Sequence, residues 1–252
     1  MTLISEIEKF VVFDTETTGV DRENDRIVTA YAGLMDRSGN LLGSRSWIID
    51  PGIEIPEGAA AVHGITTERA RAEGADPRVA VQQIVDLLEG RIARGTPIVA
   101  YNLPYDAVIL DRDSRRNGGL GFDSTGMLAI DPYVIDKAVD KWRKGKRTLE
   151  VTSAHYGVPL LGAHDAEADA VATGRVAWAV MSLIPAWAAR YCEPGSLTTV
   201  EELMAEQVKW AREQGTSFQS YLRSDKNPKG ADPTAVIDYR WPLPAFGEEL
   251  AA

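Results

Sequence analysis

The chain has 252 residues, of which 44% are hydrophobic and 25% are charged, a composition typical of a folded globular protein. Its formal net charge of −10 repels phosphate at long range and argues against a protein that simply coats nucleic acid, although acids that hold metal ions would reverse the sign locally. The lone Cys192 excludes an internal disulfide, and the sequence shows neither a signal-peptide pattern nor an apolar run of membrane-spanning length, so we expect a cytoplasmic protein with no membrane partner.

The first half of the chain predicts a sheet with helices between its strands. Four apolar segments are expected to be strands, and these are 9–14, 27–35, 41–49 and 96–101. The turn residues 38–40 predict a hairpin between the second and third strands. Residues 51–65 are expected to be irregular. Helices are expected over 77–88 and from Pro104 to just before Asn117.

The connection between two of these strands predicts where a ligand binds. Strands joined through a helix usually pair in parallel, so strand 9–14 is expected to lie beside strand 97–101. The first strand also begins a meander, and ligands of open α/β sheets bind at strand carboxyl ends near such a change of direction. Asp14, Glu16 and Asn102 fall at these ends.

The second half of the chain is expected to be mainly helical. Short helices are predicted over 131–141 and 148–156, and a long helix over 166–183 is apolar almost all round in its second half, which is expected to be buried. The sequence TTVE at 198–201 has a capping-box pattern and opens another helix, which Gly215 is expected to stop. The apolar face of that helix is predicted to comprise Val200, Leu203, Met204, Val208 and Ala211.

The last thirty or so residues contain proline, glycine and charge, but also Trp241 and Phe246. We expect them to pack on the body of the protein as an extension. The predicted organisation is therefore a domain at 1–190 and a C-terminal helix and extended segment at 191–252.

Acidic residues in three segments are candidates for metal binding. Asp14 and Glu16 share one face of their strand, and adjacent carboxylates repel each other unless a proton or cation lies between them. Their hard oxygen atoms suit Mg²⁺ or Mn²⁺. By itself, however, such a pair also describes a solvated strand end.

Each of the other two acidic segments begins a predicted helix. Asp106 lies in the first turn of its helix, where the helix dipole favours an anion. In the third segment Asp165 is a candidate N-cap, which places His164 just before the helix and Asp169 inside it. Each segment alone also fits an ordinary acidic helix start.

Taken together, the three segments resemble a known family, the DEDD exonucleases of the ribonuclease H-like superfamily. Within its DnaQ-like branch, the chain looks most like the proofreading epsilon subunits of bacterial replicative DNA polymerases. The resemblance covers about residues 8 to 185. The matching segments are FDTETTG (13–19), AVHGIT (61–66), NLPYDAVIL (102–110), RTLEVTSAHYGV (147–158) and the H-x-x-x-x-D pattern at 164–169.

The resemblance implies a fold, a reaction and a set of site residues. The implied fold is an α/β, ribonuclease H-like mixed five-stranded sheet flanked by helices, here with a C-terminal helical extension. Asp14, Glu16, Asp106 and Asp169 would ligate two divalent metal ions, Mg²⁺ or Mn²⁺, and His164 would be the general base of the DEDDh subgroup. Such metals can activate a water and stabilise a leaving alkoxide, and an imidazole can take a proton near neutral pH.

Other candidate substrate-binding positions have both a functional and a structural interpretation. Thr15, Thr17 and Thr18 resemble positions that contact the terminal nucleotide, or they stabilise a turn. His63 resembles a position near the scissile end, or it is structural. Asn102 orients the loop, touches the substrate or caps a helix.

A cluster of basic residues interrupts the acidic sequence. KWRKGKR (141–147) either steers the phosphate backbone toward the site or forms a solvated basic loop. His155 has only a core or surface interpretation.

The function that these observations favour is a 3′→5′ exonuclease that releases nucleoside 5′-monophosphates from single-stranded or frayed DNA ends. The expected partners are nucleic-acid 3′ ends, with DNA favoured over RNA, and a polymerase or another replication protein is a further candidate. An RNA-trimming enzyme and a catalytically silent interaction module remain alternatives. Contacts to the 2′-hydroxyl would decide between the two sugars, and the sequence does not display them.

Overall fold

A mixed five-stranded sheet with the order β3-β2-β1-β4-β5 forms the centre of the molecule in the computed structural model, which describes residues 1–160 and 164–243. The strands are β1 (Lys9–Thr17), β2 (Ile27–Asp36), β3 (Leu41–Ile48), β4 (Ile98–Val99) and β5 (Ala129–Ile130). β1 pairs antiparallel with β2 and parallel with β4, so the sheet changes direction at β1 as predicted.

The central position of β1 follows from its sequence. Phe10, Val11, Val12 and Phe13 are all at most 2% exposed, because helices cover the sheet on both faces and a strand between them must be apolar on both sides. β1 continues three residues beyond the predicted end at Asp14. Both Asp14 and Glu16 therefore lie inside a paired strand, opposite Tyr31 and Thr29 of β2.

Helices fill most of the remaining chain. They are α1 (Glu57–His63), α2 (Thr67–Glu73), α3 (Pro77–Ile92), α4 (Pro104–Arg116), α5 (Pro132–Val139), α6 (Leu149–His155), α7 (Ala166–Tyr191) and α8 (Val200–Leu222). α3, α4 and α5 each begin with proline, whose missing N–H costs nothing in a first helical turn.

Two predictions for the first half need correction. Residues 51–65 are not irregular throughout, because α1 occupies 57–63. The turn residues that suggested a loop lie largely at its borders, with Pro56 before the helix and Gly64, at φ 76°, in the left-handed position that ends it. The strand predicted at 96–101 is confined to Ile98–Val99.

α7 is longer and less evenly buried than predicted. It continues past Pro185 to Tyr191. In the second half only one side is buried, through Met181, Ile184 and Ala188, whereas Leu183 is 40% exposed. By length and composition α7 could cross a membrane, but half of its most apolar window is buried inside this fold, and core helices commonly pass the same test.

α8 differs from its prediction in three respects. The capping box is formed by Thr199 and Glu202, one residue later than predicted. The helix runs through Gly215, where an added Cβ would lie 2.6 Å from the Tyr239 Cβ, so this glycine permits close packing of the C-terminal segment and does not end the helix. Val208 is 45% exposed, and the buried face comprises Val200, Leu203, Gln207 and Trp210.

The described part of the C-terminal segment packs against the body of the protein. Trp241 is 7% exposed, and its Nε1–H donates a hydrogen bond to Asp131 at 3.3 Å. Phe246 lies outside the described residues. The division into 1–190 and 191–252 stays a prediction.

Candidate active site

Asp106 is tied directly to the middle of β1. Its Oδ1 accepts hydrogen bonds from the Thr15 N–H at 3.0 Å and from the Thr15 hydroxyl at 2.7 Å. Since side chains alternate along a strand, Thr15 lies between Asp14 and Glu16 in sequence but points to the other side of the pleat. The first turn of α4 is thereby anchored beside the two carboxylates of β1.

Close helix packing places Asp169 in the same region. α7 crosses β1 and β2 at Gly174, where an added Cβ would lie 2.5 Å from Val12 Cγ1 and 2.6 Å from Met35 Sδ. Asp165 caps the helix as predicted, accepting hydrogen bonds from the N–H groups of Glu167 and Ala168, both at 3.1 Å. Asp169 therefore faces the sheet from the first turns of a rigid helix.

His164 lies next to Asp169 and remains exposed to solvent. Its backbone N–H donates to Asp169 Oδ2 at 3.2 Å, and its φ of 68° is a left-handed conformation that is uncommon for a residue other than glycine. Ligand atoms of Glu16, His164 and Asp169 all lie within 4.8 Å of one another. The structure therefore brings together three of the five predicted catalytic residues by distance.

Electrostatics connects Asp14 and Asp106 to this group. Burial raises the pKa of Asp14 well above its ordinary value, and the negative charges of Asp106, Glu16 and Asp169 raise it further. Burial and the charges of Asp169 and Asp106 raise the pKa of Glu16 to about 8. Burial also raises the pKa of Asp106 to about 7, although its hydrogen bonds from Thr15 oppose the shift. The acids disfavour each other's charged forms, as expected of groups that share a cation site.

The donor set fits a hard divalent cation. Asp169 Oδ1 is buried and has no protein hydrogen-bond partner, which would be costly unless a ligand or water satisfies it. Burial raises the pKa of Asp169 too, and the hydrogen bond from the His164 N–H to its other oxygen opposes this shift only in part. Closely grouped carboxylate oxygens are the ligands that Mg²⁺ and Mn²⁺ prefer.

The three threonines all have internal partners. Besides the Thr15 contacts with Asp106, the Thr17 hydroxyl lies 2.6 Å from the Tyr105 hydroxyl and 2.6 Å from the Gly19 carbonyl. The Thr18 hydroxyl donates to Asp25 Oδ1 at 2.7 Å. These side chains hold the loop after β1 in place, and their contact with a nucleotide stays a prediction.

His63 and Asn102 border the site in different ways. His63 ends α1, and its Nδ1 accepts a hydrogen bond from the Ile65 N–H at 3.2 Å. Burial lowers the pKa of His63, and an interaction with the Thr17 carbonyl partly opposes this. Asn102 is exposed, with a φ of 64°, and it does not cap α4, so the capping interpretation is wrong.

Two of the basic residues in segment 141–147 form ion pairs within the fold. Arg143 and Arg147 both pair with the buried Asp136 of α5, Arg147 at 2.7 Å. Lysines 141, 144 and 146 are exposed, so only they remain candidates for steering a phosphate backbone. His155 lies at the surface, with its Nε2 3.3 Å from Asp140, in agreement with its prediction.

Sequence analysis did not identify Asp131, which binds the backbone where the chain enters α4. This fully buried carboxylate accepts hydrogen bonds from the N–H groups of Asn102, Leu103 and Tyr133, each at 3.0 Å. Burial raises the pKa of Asp131 to about 6. The Asp-Pro pair at a helix start predicts an N-cap, but that signal does not reveal the contacts to the α4 corner.

Comparison with known proteins assigns the family. A family model described as Exonuclease (RNase_T) matches residues 11–177. The chain belongs to this exonuclease family, and the predicted membership in its DnaQ-like branch is confirmed.

Relatives carry names from DNA replication. The DNA polymerase III subunit epsilon-like protein of Rhodobacter capsulatus is 30% identical over 207 residues, which cover 81% of this chain and 27% of that protein. The DNA polymerase III subunit epsilon of Treponema pallidum is 30% identical over 165 residues, covering 64% of this chain and 71% of that protein. A PolC-type DNA polymerase III of Lacticaseibacillus paracasei is 28% identical over 174 residues, and the match spans only 11% of its length.

Solved structures confirm the predicted fold. Escherichia coli exonuclease I in complex with a dT13 oligonucleotide has a TM-score of 0.62 and 23% identity, covering 73% of this chain and 43% of that chain. The zinc-bound form of the same enzyme with single-stranded DNA has a TM-score of 0.62 and 24% identity, with coverages of 73% and 42%. At these identities the likeness establishes the ribonuclease H-like sheet and its helices.

Proposed function

We propose that this chain is a metal-dependent 3′→5′ exonuclease that shortens DNA from its 3′ end and releases nucleoside 5′-monophosphates. The observation that carries the proposal is the grouping of Glu16, His164 and Asp169 within 4.8 Å, together with the electrostatic effect of Asp106, Glu16 and Asp169 on Asp14. The family membership and the epsilon-named relatives support the direction of hydrolysis.

The carboxylates are proposed to hold two Mg²⁺ or Mn²⁺ ions. When bound, such ions lower the pKa of an attacking water and neutralise charge on the departing 3′ oxygen. Asp14, Glu16, Asp106 and Asp169 would be the ligands. Thr15 holds Asp106 for this task, because two hydrogen bonds to Oδ1 fix the position of the side chain.

His164 is proposed to accept the proton of the attacking water through its imidazole. Its side chain is exposed, so water and a strand end can reach it. The hydrogen bond from its backbone N–H to Asp169 holds the residue beside the acids. A base so placed typically contributes about 10²–10⁴-fold in rate.

The neighbouring positions are proposed to contact the terminal nucleotide. These positions are Thr15, Thr17, Thr18, His63 and Asn102, of which Thr15 directly contacts Asp106. Since the threonine hydroxyls already have internal partners, we assign the contacts mainly to backbone groups of the loop after β1.

DNA is the proposed substrate because the relatives are named for DNA polymerase III and exonuclease I has been crystallised with dT13. The same names support a cytoplasmic location and a replication polymerase as partner. An RNA-trimming enzyme remains the alternative, since the same carboxylates can serve either sugar.

A degradation assay tests the proposal. Oligonucleotides labelled at the 5′ end, in DNA and RNA and in single- and double-stranded form, are incubated with the protein in Mg²⁺ or Mn²⁺, with and without excess chelator. We expect single-nucleotide shortening of DNA that requires the metal, and no shortening by an Asp14→Ala variant. Intact oligonucleotides in every metal would favour the silent interaction module, and faster loss of RNA would favour the RNA-trimming enzyme.

A further inference from the structure

Two adjoining cavities lie along α5 and α8. The first, of about 230 Å³, lies between the start of α4, α5, α8 and the C-terminal segment. The second, of about 790 Å³, continues over α5, α7 and α8 to the segment that contains Trp142. Lys137, Gln214 and Phe218 line both cavities, so the two cavities adjoin.

The first cavity adjoins the corner where β4 leads into α4. Asn102 and Pro104 form part of its wall, and Pro104 is only two residues before Asp106 in α4. Arg22, from the loop that follows β1, forms another part and pairs with Asp238 of the C-terminal segment. The cavity therefore lies between the loop that follows β1 and the start of α4. The first of these comes after Asp14 and Glu16, and the second carries Asp106.

Exposed aromatic side chains concentrate in these cavities. Within residues 1–160 and 164–243, five of the strongly exposed large hydrophobic residues are aromatic, and each of the five lines one of the two cavities. They are Trp142 (85% exposed), Tyr191 (60%), Phe218 (49%), Tyr221 (40%) and Tyr239 (38%). Scattered exposed apolar residues are ordinary, but a contiguous group marks a surface that binds something.

Cations accompany these rings, although the chain as a whole carries a charge of −10. Lys137 Nζ lies 4.6 Å from the centre of the Tyr133 ring, and Lys141 Nζ lies 5.6 Å from the centre of the Trp142 ring. Glu213 and Asp238 are the acidic residues in the lining, and Asp238 pairs with Arg22 and Arg240. The surface thus combines flat apolar faces with positive charge.

We propose that the two cavities form one groove, the stacking groove, which binds the single-stranded nucleic acid that lies upstream of the 3′ end being cleaved. This inference rests on the proposed function, because the active site at one end of the groove gives the strand its direction. Bases would stack on Phe218, Tyr221 and Trp142, and Lys137 and Lys141 would contact phosphates. Stacking needs no particular base, so binding would be tolerant of sequence.

The position of the first cavity beside Asn102 and the lysines among the rings favour a nucleic-acid strand over a protein partner. A strand that ends at the carboxylates must leave the site along some surface. This groove starts within a helical turn of Asp106 and carries the positive charge that phosphates require.

Fluorescence anisotropy tests the stacking contacts. The full-length protein in excess chelator, where cleavage stops, is titrated against labelled dT4 and dT16. Trp142→Ala combined with Phe218→Ala should raise the Kd for dT16 roughly ten- to a hundredfold. The affinity for dT4, which is too short to occupy the whole groove, should change much less.

The matched control is Leu120→Ala. Leu120 is 92% exposed and lies beyond the last turn of α4, whose end at Arg116 is roughly 15 Å along the helix axis from Asp106. This variant should bind dT16 like the unaltered protein. Since Trp142 and Phe218 are exposed as well, melting temperatures of all variants should agree within a few degrees.

The salt dependence of dT16 binding tests the lysines. Replacing Lys137 and Lys141 with glutamine should reduce the slope of log K against log salt by about 1.4, because each phosphate contact contributes about 0.7 in single strands. Lys9→Gln is the control, since this exposed lysine begins β1 at the end away from the carboxylates.

One further assay distinguishes a failure of the stacking-groove proposal from a failure of the proposed exonuclease function. Hydrolysis of the p-nitrophenyl ester of thymidine 5′-monophosphate by the unaltered protein in Mn²⁺ tests the active site on a substrate without an upstream strand. If the ester is hydrolysed but dT16 affinity is the same in all groove variants, the stacking groove is refuted and a protein partner becomes its better occupant. If dT16 binds through the groove but neither ester nor oligonucleotide is hydrolysed, the proposed function is refuted instead.

Discussion

Asp106 shows how one hydroxyl prepares a buried carboxylate for a cation. Burial favours its neutral form, whereas the two hydrogen bonds from Thr15 favour its charged form. The balance decides how readily Asp106 gives up a proton to bind a metal near neutral pH.

We therefore expect Thr15→Val to weaken Mn²⁺ binding and to lower kcat roughly tenfold. The valine keeps the size of the side chain and the backbone hydrogen bond but removes the hydroxyl donor, so the pKa of Asp106 should rise further. Calorimetric titration with Mn²⁺ measures the affinity. Thr15→Ser, which restores the hydroxyl, should recover most of the loss, and equal losses in both variants would contradict the assigned role.

The mutual repulsion of the acids predicts a pH-dependent stability without metal. Because the folded pKa values of Asp14, Glu16 and Asp106 are raised, the folded protein binds more protons than the unfolded chain, and stability falls as pH increases from about 4 to about 8. In excess chelator, the melting temperature should decrease over this range. Added Mn²⁺ should flatten the dependence, because bound cations replace the protons.

Asp14→Asn provides the matched variant for this experiment. Removing one charge should raise the melting temperature in chelator at pH 8 by about 2–4 °C, the shift that corresponds to about 1 kcal/mol in a domain of this size. The same variant should be inactive. A lower melting temperature of this variant in chelator would show that the Asp14 carboxylate has a stabilising partner in the folded protein and is not repelled by the neighbouring acids.

His164 should act on the chemical step and not on binding. We expect His164→Ala to lower kcat by about 10²–10⁴ while the KM for oligonucleotide changes little, since an exposed base is lost and the carboxylates remain. Single-turnover kinetics measures the step directly. A normal rate would remove His164 from the role of base.

At the scale of elements, the contact between α7 and the sheet positions Asp169. Gly174 allows the helix to lie directly on Val12 and Met35. Gly174→Ala improves helix propensity, but its methyl group needs space that the core does not offer. We expect a loss of about 1–3 kcal/mol in the free energy of unfolding and weaker Mn²⁺ binding, because α7 must move away from β1.

Urea denaturation and Mn²⁺ titration together check this expectation. Gly90→Ala is the control, since Gly90 lies in α3, where the nearest atom that an added Cβ would meet is the flexible end of Arg94, at 3.3 Å. This control should be neutral or slightly stabilising. Equal metal affinity in both variants would mean that α7 does not set the position of Asp169.

At the scale of the whole molecule, Asp131 connects the start of α4, the start of α5 and the C-terminal segment. Trp241 donates to this carboxylate from beyond α8, so the end of the described chain reaches the back of the active site. We expect Trp241→Ala to lower the free energy of unfolding by about 3 kcal/mol or more, since a buried aromatic side chain and a hydrogen bond are both lost.

Trp241→Phe separates the two contributions. It keeps most of the apolar surface and should cost about 1 kcal/mol for the lost N–H donor. Trp142→Ala, at a side chain that is 85% exposed, should leave stability within about 0.5 kcal/mol. Urea denaturation of the three variants makes the comparison, and a stable Trp241→Ala protein would show that the extension is dispensable for folding.

The elements that the sequence predicted well have strong local signals. β1 is an apolar run, α4 begins with proline and ends before Asn117, and the hairpin carries turn residues between two strands. The end of a helix was predicted wrongly where a residue serves tertiary packing. Gly215 marked a helix end locally, but it provides room for Tyr239 inside α8.

The resemblance of the acidic motifs to those of a known family, which the sequence alone displays, determined the family and nominated Asp14, Glu16, Asp106, His164 and Asp169, because the residue types that bind metals and move protons are few and distinctive. Only the tertiary structure decided what supports and surrounds them: Thr15 bonded to Asp106, Asp131 joining distant segments, and exposed aromatic residues from separate helices lining one groove. The physical reason is that these features depend on contacts between residues remote in sequence, and no local pattern of residues records such contacts.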